Sequence, residues 1–258
     1  MGQRKEIGAE ERAGLFDLYI QQRGSMKLSR DDLVYCIEHF RGIRKNCSIS
    51  GKLKISDTDL SGEDITGIDI SGLELNGVKF NNTKVDVDQF TYILNYVRLG
   101  LTDISNINIF GLNLSGVDLS GVDLSKISLK GVKLDKTSFL SIRESLQSRA
   151  MSIEGADLSN INLSGEYIVD LEVGMAQYCY VDLKGINFNN VNLVGADLSA
   201  TYINDATFQY ANLENAKIIA SYATRANFTG AKLANAVLKH SNFAYAIFDK
   251  ADLTRAII

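Results

Sequence analysis

Large apolar residues return at every fifth position over most of this chain. In the stretch ADLSNINLSG, residues 156–165, they fall at Leu158 and Leu163. Stepping on by five reaches Ile168, Val173, Tyr178, Leu183 and Phe188 and continues to Leu253 and Ile258 without meeting a charged residue. Two earlier blocks obey the same rule, from Ile55 to Phe90 and from Ile104 to Phe139. Two residues before most centres stands a small or β-branched residue (Ala196, Ala211, Ala226, Val117). One before it is usually polar (Asp59, Asn113, Asn162, Asp252), and two after it Gly is common (Gly62, Gly67, Gly116, Gly195). Side chains alternate along a strand, so a centre and the residue two before it face the same way. Gly or Asn two residues later suits a left-handed corner. Each five-residue unit therefore predicts a very short strand and a corner, with two side chains directed inward.

Residue identity recurs at a spacing of 20. Phe188, Phe208, Phe228 and Phe248 make one column, Leu193, Leu213, Leu233 and Leu253 the next, and Leu198, Ile218, Leu238 and Ile258 a third. Stacking like on like favours this constancy, so four units close one coil, with parallel pairing between coils at about 4.8 Å. Parallel connections are overwhelmingly right-handed, and that hand is expected here. The expected fold is an all-β solenoid, a right-handed coil with four sides.

The blocks do not abut. The centre after Phe90 is Ile104 and the centre after Phe139 is Ile153, so each junction holds nine positions more than one unit. Within them Phe90, Ile93, Val97 and Phe139, Ile142, Leu146 keep helical spacing. Short helices are expected near 88–100 and 137–149, capped by Asp88 and by Thr137 or Ser138. The third block, 153–258, carries no such helical insert and is expected to run in unbroken phase. Residues 1–50 lie outside the repeat and read as a helical N-terminal cap, with helices at Ala9–Gln22 and Ser29–Arg44. Ser29 with Asp32 suggests a helix start, and the pair would cover the first coil. The domain organisation is thus a cap at 1–50 and the repeat with its helical insertions at 51–258. No cap is visible after Ile258, so an end-to-end dimer through the C-terminal coil is one expectation.

Candidate chemistry is sparse. The two histidines, His39 and His240, share no motif with a nucleophile. Cys36, His39 and Cys47 supply three zinc ligands where a structural site needs four, so a buried thiol and a surface imidazole are expected instead. The glycines recur every five residues, as corners do, and not as a phosphate-binding loop. The chain is read as non-enzymatic, with no cofactor and no metal. The formal net charge of −4 argues against direct nucleic-acid binding, no apolar run suits a membrane span, and the start MGQRKEIGAEER does not read as a secretory signal. Charge is unevenly spread. Residues 153–205 carry eight acidic side chains against Lys184 alone, whereas residues 206–258 carry six basic against three acidic. Within the acidic belt lie Asp170, Glu172, Asp182, Asp197 and Asp205. Tyr202 and Tyr222, one coil apart, fall at an outward position, and Tyr210 and Tyr245 are also expected outward. Exposed tyrosines are enriched at interfaces. Together these nine residues form the candidate partner-binding surface, suited to a basic protein.

The units resemble those of the pentapeptide-repeat family, whose usual unit is A-(D/N)-L-x-x and whose fold is a right-handed quadrilateral β-helix. The resemblance covers residues 53–258 except the two interruptions. It departs in the first two blocks, where Ile68, Leu73, Val78, Ile107, Leu112 and Val132 stand at the usual Ala position. The helical segments before and within the coil are similar to those of bacterial effectors delivered to host cells by type III secretion. This implies a protein-interaction scaffold of the bacterial cytoplasm, secreted into the host to act on a host protein. A second branch implies a DNA-mimicking protector or inhibitor of a type II topoisomerase, although the positive balance of residues 206–258 breaks a continuous negative wall. A third implies the substrate-recruiting part of a larger effector ligase.

Overall fold

The structure, a computed structural model, describes residues 27–47, 52–170 and 175–258. The helix expected at Ala9–Gln22 lies outside the described residues. The chain divides into two compact units, one ending at Ile109 and one spanning Phe110–Ile258.

In the first unit, α1 (Arg30–Cys47) begins with the expected reciprocal cap. The Ser29 backbone donates to Asp32 Oδ2 at 3.1 Å and the Asp32 backbone donates to Ser29 Oγ at 3.2 Å. Its inner face buries Leu33, Cys36 and Ile37, while His39 is exposed. The residues ahead of the helix join the coil directly: Lys27 makes a parallel bridge to Asp59, and the Leu28 backbone donates to the Asp59 carbonyl at 2.9 Å. Regular strand is brief, β1 (Leu53–Lys54) pairing in parallel with β2 (Leu73–Glu74) one coil on. Most other rungs are single parallel bridges, as at Asp59–Lys79 and Asp64–Lys84.

The next coil closes four positions late, with rungs at Lys79–Asp103 and Lys84–Asn108. This corrects the reading of nine surplus positions on one side. Helix α2 (Val87–Arg98) stands in for two sides, so the coil lengthens by only four. Its N-cap is Asp86, not Asp88: Asp86 follows the buried Val85 in extended conformation and forms a capping box with Gln89. The helix also repairs what it displaces. The carbonyls of Ile65, Ile68 and Leu73 would face the missing strands. The buried Gln89 amide donates to Ile65 and to Ile68 (2.8 Å), and the Tyr92 and Tyr96 hydroxyls donate to Leu73 at 2.7 and 3.0 Å. Buried carbonyls thus keep partners where the ladder stops.

The second unit repeats the device. Lys133 bridges Asp157, again four positions late, across α3 (Lys136–Ser141) and α4 (Arg143–Gln147), which break at Ile142. The cap is Asp135 with Ser138 at the third helical position, not Thr137 or Ser138 itself. From Asn187 onward the coil is regular, with four ladders stepping by 20: Asn187–Thr207–Asn227–Ile247, Asn192–Asn212–Lys232–Asp252, Asp197–Lys217–Val237–Ile257 and Tyr202–Tyr222–Asn242. Each rung is the residue before a centre. Phe188, Phe208, Phe228 and Phe248 stack inside with ring centroids 4.8–4.9 Å apart and planes within 4°. That spacing is the strand separation itself, so the backbone ladder sets the ring stack. The polar residue before each centre also builds the corner: its side-chain oxygen accepts from the backbone two residues on, as in Ser199 to Asp197 (3.0 Å) and Thr254 to Asp252 (3.0 Å).

One expectation fails outright. The third block is interrupted: Asp157 bridges Asn192 and Asn162 bridges Asp197, at a separation of 35 instead of 20. The surplus chain, equal to three units, forms an antiparallel hairpin of β3 (Glu166–Asp170) and β4 (Met175–Cys179), with Tyr167 opposite Tyr178. Ile168 and Tyr178 are therefore hairpin residues, not coil centres, and Val173 lies outside the described residues. The chain rejoins the coil at β5 (Val181–Asp182), which pairs with β6 (Thr201–Tyr202). Gly165 marks the exit. A Cβ there would lie 2.3 Å from the Cys179 carbonyl oxygen and 2.4 Å from that of Ala200, so only glycine lets the backbones pass.

Candidate interaction surface

The rung position puts Tyr202 and Tyr222 on one ladder of the second unit, and pairing fixes them one coil apart. Tyr180, where the hairpin ends, completes a three-ring cluster. Its centroid is 4.8 Å from Tyr202 and 5.3 Å from Tyr222, and Tyr202 and Tyr222 are 5.3 Å apart. Tyr222 is 41% exposed. Lys184 Nζ lies 4.6 Å from the Tyr202 ring centroid, a cation–π contact, and 3.9 Å from Asp182 Oδ2. Along the adjoining corner, Arg225 grips Asp205 through Nε–Oδ1 (2.6 Å) and Nη2–Oδ2 (2.8 Å). That grip holds the Asp205 carboxyl below the usual carboxylate range. Tyr245, the next corner residue in the same register, is 86% exposed.

The nine sequence candidates do not make one patch. Tyr202, Tyr222 and Asp182 share a ladder, and Asp205 and Tyr245 follow at its corner. Tyr210 sits at a different corner, its ring against Gly230 one coil on. Asp197 belongs to the rung of Asn162 and Lys217. Asp170 is in the hairpin, paired with Met175, and Glu172 lies outside the described residues. Sequence reasoning missed Tyr180 and Lys184. Tyr180 becomes visible only when the hairpin boundary is known. Lys184 closely follows Asp182, whose rung partner one coil on is Tyr202, and that register was the available signal.

The aromatic side is charge-balanced, because Lys184 and Arg225 answer Asp182 and Asp205. It presents aromatic rings, two cations and paired carboxylates on a backbone held by hydrogen bonds to both neighbours. Among the described residues no group of His, Cys, Asp and Glu could hold a metal ion, and no helix is long and apolar enough to cross a membrane.

The pentapeptide-repeat profile matches eight copies, over residues 111–141, 182–218 and 224–258. The gap between the first two segments contains the hairpin. These matches support the pentapeptide-repeat family. No curated protein sequence matches the chain. Among solved structures it is similar to HetL, a pentapeptide repeat protein involved in heterocyst differentiation regulation in the cyanobacterium Nostoc (20% identity, 86% of this chain and 95% of that one, TM-score 0.25). It is also similar to a trypsin-treated form of QnrB1, a plasmid-mediated fluoroquinolone resistance protein (16%, 80% and 67%, TM-score 0.35). A third is a pentapeptide repeat protein from the cyanobacterium Cyanothece 51142 (19%, 39% and 86%, TM-score 0.18).

Proposed function

We propose that this chain of pentapeptide repeats is a non-enzymatic scaffold that binds another protein, and that it is a bacterial effector delivered to a host cell to act on a host protein. The carrying observation is the Tyr180–Tyr202–Tyr222 cluster, a partly exposed aromatic surface formed by two successive rungs of the coil and the end of the hairpin. Rungs pre-order their side chains, so a partner meets an aromatic face whose conformational entropy is already lost. Aromatic anchors of this kind dominate interface energetics. The helical segments α1, α2 and α3–α4 motivate the effector reading.

The test is capture of partners by the immobilised chain from host and bacterial lysates, alongside a gyrase supercoiling assay. A host protein retained by the native chain and lost with a Tyr202→Ala, Tyr222→Ala double variant is the expected result. Protection or inhibition of gyrase at low micromolar protein, with no host protein retained, overturns the effector reading in favour of topoisomerase mimicry.

A further inference from the structure

The hairpin is an addition that the coil does not need. Its length equals three units, and its two ends meet at the coil: the Gly165 backbone donates to the Ser199 carbonyl at 2.9 Å and the Val181 backbone to the Ala200 carbonyl at 3.3 Å. Joining Gly165 to Val181 would place Leu183 five positions after Leu163, the ordinary spacing, with Val and Asp at the two positions before it. A two-stranded hairpin is at best marginally stable by itself. Among the described residues neither β3 nor β4 pairs with a third strand. Their outer edges carry backbone donors and acceptors that the sheet leaves without a strand partner.

Proteins usually blunt such edges with Lys, Pro or a covering element. Here the strands contain no Lys, Arg or Pro. Their charges are Glu166 and Asp170. From Ile153 to Leu183 the sequence has six acidic residues and no basic one. The contrast with the aromatic ladder matters, because there the carboxylates of Asp182 and Asp205 each have a cation, while the hairpin's own sequence supplies none. An added strand of opposite charge would satisfy the edge and answer the acidic sequence of the strands.

We infer that an outer edge of the β3–β4 hairpin is a docking strand that pairs with an extended, basic segment of the partner protein. The inference rests on the docking-scaffold reading above and names the chemistry of the partner. Main-chain pairing supplies affinity, and cations on the incoming strand supply selectivity against neutral or acidic segments.

The experiment measures binding of a short peptide of alternating lysine and valine to the native chain and to one lacking residues 166–180, with thermal unfolding of each recorded. The native chain is expected to bind it, and the shortened chain, still folded, to bind at least tenfold more weakly. An alternating glutamate–valine peptide should not bind. Lysine–valine peptide N-methylated at alternate residues should bind at least tenfold more weakly than its parent. A Glu166→Lys, Asp170→Lys variant, which keeps the hairpin, should reverse the preference between the two peptides; it decides the matter if the shortened chain does not fold. Equal binding of the N-methylated peptide, equal binding by a folded shortened chain, or an unchanged preference in the charge-reversed variant overturns the docking strand. A host protein retained equally by native and shortened chains also overturns it, while leaving the scaffold reading in place.

Discussion

In the unit ending at Ile109 the rungs alternate in sign, Lys27–Asp59–Lys79–Asp103 on one ladder and Asp64–Lys84 on the next, and several corners are glycine, as at Gly62, Gly67 and Gly77. In the other unit, from Asn187 on, opposite charges still meet at Asp197–Lys217 and Lys232–Asp252, but like residues also stack: four phenylalanines inside, Tyr202 on Tyr222, Asn192 on Asn212. Corners there often carry whole side chains in the left-handed region, among them Asp205, Tyr210, Arg225 and Tyr245 at φ 58–60°. The backbone problem is the same in both. Each coil must sit on the next without slipping, and each corner must turn with φ positive. One unit meets the first demand with charge alternation and the second with glycine or with Asp57, Asn82 and Asn106, residue types that tolerate positive φ. The other adds like-on-like stacking, and turns many corners with side chains whose left-handed conformation costs roughly 1–2 kcal/mol per residue.

The largest effect expected is from Phe208→Asp. Phe208 is fully buried between Phe188 and Phe228. Removing the ring costs about 3–5 kcal/mol, and a lone carboxylate there adds several more. Since a domain holds only about 5–15 kcal/mol, the second unit should not fold, as loss of its circular-dichroism signal and of cooperative melting would report. A folded variant with unchanged melting would mean the ring column does not hold this unit in register.

Gly230→Ala against Gly62→Ala probes the corners. Both glycines have positive φ, +66° and +83°. A Cβ at Gly62 meets nothing, whereas one at Gly230 lies 2.6 Å from the Tyr210 ring. Gly62→Ala should cost about 1 kcal/mol of backbone strain. Gly230→Ala should cost more, up to about 2 kcal/mol, and adding Tyr210→Ala should recover the steric excess but not the strain. Equal costs in denaturant titrations would show that the Tyr210 ring swings aside freely.

How much of this was legible in the sequence follows from what each feature does to the five-residue phase. Inward centres were legible because burial admits only apolar residues at one position in five, and Leu158, Phe208 and Leu233 are fully buried. The hairpin was not, because an insertion of three whole units preserves that phase: Ile168, Val173 and Tyr178 fall on the beat by length alone. The helices were visible as a break, but the gap from Phe90 to Ile104 reads equally as one side plus nine or two sides plus four. The Lys79–Asp103 and Lys84–Asn108 rungs decide between them. The caps were missed for a related reason. Asp86 and Asp135 occupy the position after a centre, which the repeat makes look like an ordinary outward residue. Within the candidate surface, Tyr202 and Tyr222 were legible from their spacing of 20. Their convergence with Tyr180 and Lys184 was not, because it depends on where the hairpin returns.

The smallest effect tests the charge alternation itself. Asp59 sits between Lys27 and Lys79 on its ladder, and its carboxyl is held below the usual range, first by the Ser61 hydroxyl and backbone, then by the two lysines. A depressed folded-state pKa means that its contribution is complete above pH about 4, the unfolded value, and is lost as the pH falls further. Lys79→Asp would put a new carboxylate on the rung between Asp59 and Asp103, so that three acids stack in succession. Like charges directly opposite are destabilising by about 0.2–1 kcal/mol per pair, which is the loss expected at neutral pH and low salt. The sign of the pH dependence should then change. Repulsion raises the carboxyl pKa values, so the variant's deficit relative to the native chain should shrink as the pH falls toward about 4, while native stability itself declines. Added salt should shrink the deficit too, by screening. Aspartate introduced at Thr207, whose ladder neighbours Asn187 and Asn227 are uncharged, should show neither trend. A deficit at Lys79 that ignores both pH and salt would mean that the alternating charges decorate the first unit without registering it.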